Sequence, residues 1–514
     1  MASATRTGRP RLEVLRLPGD TETPVSAFLK LARPGRGDFL LESVEGGRSL
    51  GRYSFLGLAP DRILEVRGRQ VLRHHPGAGQ PAEVLAPDPL AALRAEIAGI
   101  AAPLPPGVPA SIPLLVGHVG YGCIRLVERL PAVGRDPLAL PDMLFVRPAV
   151  VLVFDRLTDE LFLVAPVWPG GDAAAARLRL ETVAARLAAP LPPAPGPAAA
   201  PAASGPAAAP AASGPAVAVA ESDYCAMVAR ARAYIAAGDI FQVVLARRFS
   251  APFALPPFAL YRALRRVNPS PFLFHLDLPG YAVTGSSPEI LVRVRSGQVT
   301  IRPIAGTRPR GASEAEDAAR AAELLADPKE RAEHLMLLDL GRNDVGRVAE
   351  GGTVRVSEAF TIERYSHVMH LVSEVTGRLR RGLDAVDALL AGFPAGTVSG
   401  APKVRALEII AELEPEARGI YAGGVGYFAP DGSMDSCIVL RTAVVKDGLM
   451  HVTAGAGIVA DSVPEAEAAE CRAKAGALFA AARAALGEAA CAPGPAGPGE
   501  RPGAGAVAGP AWPA

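Results

Sequence analysis

Four glutamates stand in two pairs in the second half of the chain. Glu330 and Glu333 lie in KERAEHLMLLDL, and Glu467 and Glu470 lie in PEAEAAECRAKAGALF. Both segments have the apolar spacing of amphipathic helices, and residues three apart share one helix face. Two such helices facing each other would line a cage with carboxylate oxygens, the donors a hard cation such as Mg²⁺ prefers. One pair alone would be an ordinary solvated face. The company it keeps is what gives the pattern weight.

That company is spread over the same part of the chain. PIAGTRPRG (303–311) and FPAGTVSGAPK (393–403) place Gly-Thr pairs at expected strand-to-loop transitions. Free backbone N–H groups and a Thr hydroxyl there can grip a carboxylate or phosphate, although a turn glycine with a capping Thr gives the same pattern. Neither segment has the spacing of a P-loop. In TAGAGIVAD, Gly455 and Gly457 fall within an expected strand. Glycine weakens a strand unless something must approach its backbone closely. Arg441 interrupts the apolar run CIVLRTAVV, where a guanidinium wants a carboxylate partner or an outward-facing position. His367 and His370 are three apart in RYSHVMHLVSEV, and a single acid/base histidine suits them better than a metal pair lacking a third ligand.

The elements that must position these residues read as mixed α+β. The chain has 514 residues, half of them hydrophobic, enough for a large core. Its 53 basic and 52 acidic residues leave a net charge of +1, which supplies no general reason to bind nucleic acid or a membrane surface. The five cysteines are scattered without a CxxC, which fits a reducing, cytoplasmic setting. The amino-terminal residues show no signal-peptide pattern, and no apolar run reaches membrane-spanning length. Residues 186–218 are an Ala/Pro/Gly/Ser stretch with PAAAPAASG twice in tandem, read as a linker, and 490–514 are similar, read as a disordered tail. Between them lie regions 10–185 and 219–485. A hairpin is expected around Asp155–Asp159, a helix over Asp223–Ala237, and GGVGYFAP, SMDSCIVLRTAVVKDG and LMHVTAGAGIVA as consecutive antiparallel strands.

Seven segments taken in order resemble the chorismate-utilising enzymes: RPIAGTRPRG, DPKERAEHLMLLDLGRNDVGRV, RYSHVMHLVSEV, FPAGTVSGAPKVRALEII, IYAGGVGYF, DSCIVLRTAVV and TAGAGIVADSVPEAEAAECRAKA. LLESVEGGRSLGRYSFLG resembles the start of the component I branch, the anthranilate synthases. Two positions sort the branches. Relatives that make aminodeoxychorismate usually carry Lys where this chain has Ala305, and the isochorismate and salicylate makers usually carry Lys where it has Gln242. None of the five lysines, Lys30, Lys329, Lys403, Lys446 and Lys474, fills either place. The resemblance therefore implies ammonia as the direct nucleophile. Alternatives that stay open are a 2-amino-2-deoxyisochorismate synthase and a catalytically silent regulatory homologue.

The resemblance further implies a fold of two antiparallel sheets packed face to face with helices outside, to which the amino-terminal region adds. It implies Mg²⁺ held by Glu333 and Glu470, with Glu330 and Glu467 close by. Glu289, in SSPEI, is implied as the acid for the departing C4 hydroxyl and His370 as the base for the C2 proton, with Thr397 beside them. Chorismate would be held by Gln242, Gly306, Thr307, Tyr421, Arg441, Gly455, Ala456 and Gly457, and Lys474 would complete the charge network. Tryptophan feedback is implied at Leu41, Glu42, Ser43, Arg52, Pro271, Phe272, Leu273, Val425, Gly426, Tyr427 and Cys437. The family more often has Tyr-Met or similar at Phe272-Leu273. No glutaminase segment is visible, so glutamine-derived ammonia implies a separate amidotransferase subunit, in a heterotetramer.

Overall fold

The computed structural model describes residues 10–45, 49–77, 79–109, 112–132, 134–192, 215–365 and 368–491. Two 12-stranded sheets dominate it, and all their ladders are antiparallel. Each sheet is built from both ends of the chain. In one, strand Asp38–Glu45 pairs with Phe272–Leu278, so that Ser43 faces Phe272 and Glu42 faces Leu273. In the other, Leu115–Val119 pairs with Gly424–Phe428. The main core cluster draws from both sheets, with Phe55, Val151 and Leu245 from one and Leu64, Leu291 and Val292 from the other, all at most 8% exposed. A face-to-face sandwich follows, since each sheet must bury its apolar face against a second layer.

Among the described residues ten α-helices surround the sheets. The first glutamate pair lies on the helix Pro328–Val348. Asp327 caps that helix by accepting from the N–H groups of Lys329 and Glu330, and Pro328 fills its first position, where a missing N–H costs nothing. The second pair lies on Pro464–Cys491, which packs against the strand Leu449–Ile458 and the helix Pro257–Val267.

Three expectations change. The run CIVLRTAVV is not one strand: Met434–Ile438 lies in one sheet and Thr442–Lys446 in the other, with Arg441 at φ 46° in the crossing between them. Apolar residues continue through the crossing because it is buried, which hides the break from periodicity. Gly306 and Thr307 sit within the strand Ile304–Pro309, at a bulge between Ala305 and Thr307, not at its end. The stretch 186–218 is structured at both edges: Leu187 ends a helix, and Ala216–Val217 pairs with Phe249–Ser250. Residues 193–214, the tail after Cys491 and His367 lie outside the described residues.

Candidate active site

Glu289 follows the strand Tyr281–Ser287 and is 6% exposed. Its two carboxyl oxygens lie 3.1 and 3.2 Å from the Thr397 hydroxyl. Thr397 is placed by the 3₁₀ turn Gly396–Val398. Burial raises the Glu289 pKa to about 8, although bonds from Thr397 and the Ile304 N–H work the other way. Desolvation is the largest effect, so this carboxyl holds its proton at neutral pH.

His370 sits on the strand Val368–Arg378, opposite Thr307. Its Nδ1 is 3.1 Å from the Gly306 carbonyl oxygen and 3.1 Å from Thr307 Oγ1. A carbonyl can only accept, so Nδ1 carries the proton and Nε2 keeps a free lone pair. Burial lowers the His370 pKa, the Gly306 carbonyl raises it, and Arg441 lowers it again. The ring is therefore a neutral base.

His370 and Arg441 line one cavity of about 140 Å³. Burial alone shifts the Arg441 pKa, downward, with no described carboxylate near enough to oppose it. The sequence left this guanidinium either a carboxylate partner or an outward-facing position, and no described carboxylate pairs with it. A largely desolvated cation facing a cavity calls for an anion from outside.

Gly455 and Gly457 leave room for their neighbours. A Cβ on Gly455 would stand 2.8 Å from the Tyr421 hydroxyl, and one on Gly457 would stand 2.7 Å from Gln242 Nε2. Ala456 lies between them, buried and paired with Leu245. Gln242 Nε2 reaches Glu333 Oε1 at 3.5 Å, and Gln242 Oε1 is buried without a partner.

The four glutamates converge in field. Burial raises the Glu333 pKa, and the charges of Glu330 and Glu470 raise it further. Burial likewise raises Glu467, and Glu470 adds to it. They are not gathered as ligands: no group of three or more His, Cys, Asp or Glu among the described residues could hold an ion. Two of them are engaged by cations instead. Arg308 Nη1 donates to Glu330 at 3.1 Å, and Lys474 Nζ to Glu470 at 2.6 Å. Lys474 also donates to the Gly455 carbonyl at 3.0 Å, linking the helix to the glycine strand. The all-oxygen donors and their mutual repulsion fit a hard dication in kind. Sequence reasoning passed over Arg308, although it stands in the same PIAGTRPRG segment as Gly306.

All eleven residues expected at a feedback pocket line one cavity of about 740 Å³. Strand register explains it: Leu41–Ser43 pairs with Phe272–Phe274, and Val425 pairs with Cys437 on the facing sheet. Several charges here are already matched. Glu42 accepts from Arg156, Arg265 and the Tyr261 hydroxyl, Arg52 from its side forks onto Asp155 at 3.0 and 2.8 Å, and Asp435 accepts from Arg293 and Arg295. This is the larger cavity, yet the unpaired cation and the neutral base are in the smaller one, where chemistry is expected. The two share Pro271, Pro288 and Tyr365 as walls.

Residues 62–480 match the family described as chorismate binding enzyme. The chain belongs to that family. Within it, the chain is 51% identical to anthranilate synthase component 1 of Cereibacter sphaeroides, covering 93% of this chain and 95% of that protein. It is 50% identical to the Thermus thermophilus protein of the same name, covering 90% and 95%. The crystal structure of anthranilate synthase component I from Streptococcus pneumoniae superposes with a TM-score of 0.72 at 36% identity, over 83% of this chain and 92% of that one. The Escherichia coli isochorismate synthase MenF shares the fold at TM-score 0.65 and 20% identity. No described helix is long and apolar enough to cross a membrane.

Proposed function

We propose that this enzyme converts chorismate and ammonia to anthranilate and pyruvate, serving tryptophan biosynthesis. The carrying observation is that His370, its Nδ1 bonded to the Gly306 carbonyl, lines one cavity with the unpartnered Arg441, while Glu289 lies buried against the Thr397 hydroxyl. Arg441 binds a carboxylate of the substrate. Tyr421 and the backbone at Gly455–Gly457 set the other side of the site. Glu289 gives its proton to the C4 hydroxyl, which leaves as water while ammonia adds at C2. His370 Nε2 takes the C2 proton as pyruvate is eliminated. Gly306 and Thr307 keep Nδ1 protonated, which holds the base in the right tautomer. Glu333 and Glu470, with Glu330 and Glu467, would hold Mg²⁺, whose charge would neutralise a substrate carboxylate and draw electrons toward it. Glu330 must then exchange Arg308 for the ion, and Glu470 must exchange Lys474.

Ammonia reaches the site from glutamine through a separate amidotransferase subunit, as the component 1 name of the relatives suggests. Tryptophan occupies the 740 Å³ cavity and acts through the shared wall. Product analysis tests the reading: purified chain with chorismate, Mg²⁺ and an ammonium salt yields anthranilate and pyruvate in equal amounts. An aminated intermediate without pyruvate would instead assign a 2-amino-2-deoxyisochorismate synthase.

A further inference from the structure

The departing hydroxyl takes the Glu289 proton with it, so the carboxylate left behind must be recharged before the next turnover. The C4–O bond breaks with its electron pair on oxygen, and that oxygen leaves as water. The ammonium formed at C2 sheds one proton, which balances the one Glu289 must regain.

Glu289 lines a small cavity of about 20 Å³. It touches Glu289, Thr397 and Asp344, and none of His370, Arg441 or the four glutamates. One water needs roughly 10–15 Å³ and two or more polar partners, so a single water fits there. Asp344, on the helix Pro328–Val348, is 5% exposed and also lines an outer groove of about 210 Å³. On that side Lys403 Nζ donates to its two oxygens at 2.8 and 2.9 Å. The groove is rimmed by half-exposed residues, Val127 and Val404 at 45% and 43%. Thr397 and Lys403 belong to one segment, FPAGTVSGAPK, which thus has one residue at Glu289 and another at the groove.

We propose that Asp344 and the small cavity form a proton path that recharges Glu289. A proton enters from the Lys403 ammonium, itself replenished from the groove. It passes to Asp344, then to the cavity water, then to Glu289. Burial raises the Asp344 pKa against the pull of Lys403, which suits a group that must accept and release a proton. Asp344 is a positioning and relay residue and touches no substrate.

The proposal rests on Glu289 being the acid, and the test separates the two. Rapid-quench kinetics of the full chain with chorismate, Mg²⁺ and ammonium measures the first turnover and the steady state. In Asp344→Asn the first turnover keeps its rate within about two-fold, because Glu289 starts protonated, while the steady-state rate falls roughly ten-fold or more. A one-equivalent burst appears, and the solvent deuterium effect grows on the steady state only. Gly341→Ala gives a second route to the same result. Gly341 lines the small cavity, and a Cβ there meets Ile301 and Val375 at 3.7 Å, an ordinary contact, so it fills space without strain. A parallel fall of both phases, or no fall in either variant, overturns the path. If Glu289→Gln keeps a normal first turnover, the assignment of the acid itself fails.

Discussion

The acid role proposed for Glu289 needs a carboxyl that keeps its proton at neutral pH, and burial favours that state. Its pKa of about 8 implies two measurable results. The first is kinetic: kcat falls as pH rises through about 8, where the acid is lost. The second concerns stability. The folded pKa lies above the ordinary value of 4.5, so the native state binds the proton more tightly than the unfolded one. That contribution is complete below the ordinary value and is lost as pH rises toward the folded one, at most about 1.4 kcal/mol per pH unit. Glu289→Gln therefore flattens the pH dependence of chemical unfolding across that window while removing activity. An unchanged slope would show that Glu289 ionises freely in the native state. Arg441 is argued from the opposite condition, a charge with no partner. Replacing it by Met should remove the charge-assisted bond proposed to a substrate carboxylate, worth about 1.5–3 kcal/mol, and so raise KM roughly ten- to a hundred-fold by initial rates. It also relieves desolvation of the free protein, so the thermal midpoint does not fall.

The elements show why some of the site was legible in the sequence and some was not. That Glu330/Glu333 and Glu467/Glu470 lie on helices was legible because a helix repeats every 3.6 residues and marks its faces in the sequence. The turn that ends the segment SMDSCIVLRTAVVKDG is legible because φ > 0 demands particular residues, and its Asp447 and Gly448 take φ 50° and 76°. The setting of Arg441 is not legible in the same way, since a buried crossing between sheets is as apolar as a strand. The engagement of Glu330 by Arg308 and the groove behind Asp344 left no periodic trace, because they join segments through packing alone. Glycines in a strand gave a signal without naming the neighbour, and the neighbours now separate their fates. A Cβ at Gly455 meets the Leu245 backbone oxygen at 2.9 Å as well as the Tyr421 hydroxyl, and neither yields easily. A Cβ at Gly457 meets the flexible end of Gln242. Gly455→Ala should cost about 1–3 kcal/mol of stability in denaturant unfolding, and Gly457→Ala markedly less. Adding Gln242→Ala should recover the Gly457→Ala loss and leave the Gly455→Ala loss untouched. Equal losses at both positions would mean that strand propensity, not the neighbours, sets the cost.

At the scale of the whole molecule, each sheet is joined across the two halves of the chain by one ladder. Asp38–Ser43 hydrogen-bonds along Phe272–Asp277 in one sheet, and Leu115–Val119 along Gly424–Phe428 in the other. The 740 Å³ cavity lies where these junctions face each other, taking Leu41, Glu42, Ser43 and Arg52 from one half and Pro271, Leu273 and Tyr427 from the other. A ligand there touches both halves and, through Pro271, Pro288 and Tyr365, the wall of the His370–Arg441 cavity. The covalent link through residues 193–214 is then dispensable once the sheets have formed. An inserted protease site within that segment, cut after folding, should leave two fragments that co-elute, because permanent interfaces with core-like packing survive loss of a tether. Their activity should stay within about two-fold of the uncut chain, and the tryptophan inhibition proposed for the 740 Å³ cavity should persist with it. After the fragments are unfolded and diluted, recovery should depend on their concentration, since joining the sheets has become a bimolecular step. Fragments that separate without denaturant would show that the strand junctions are held by the tether and not by their own ladders and core.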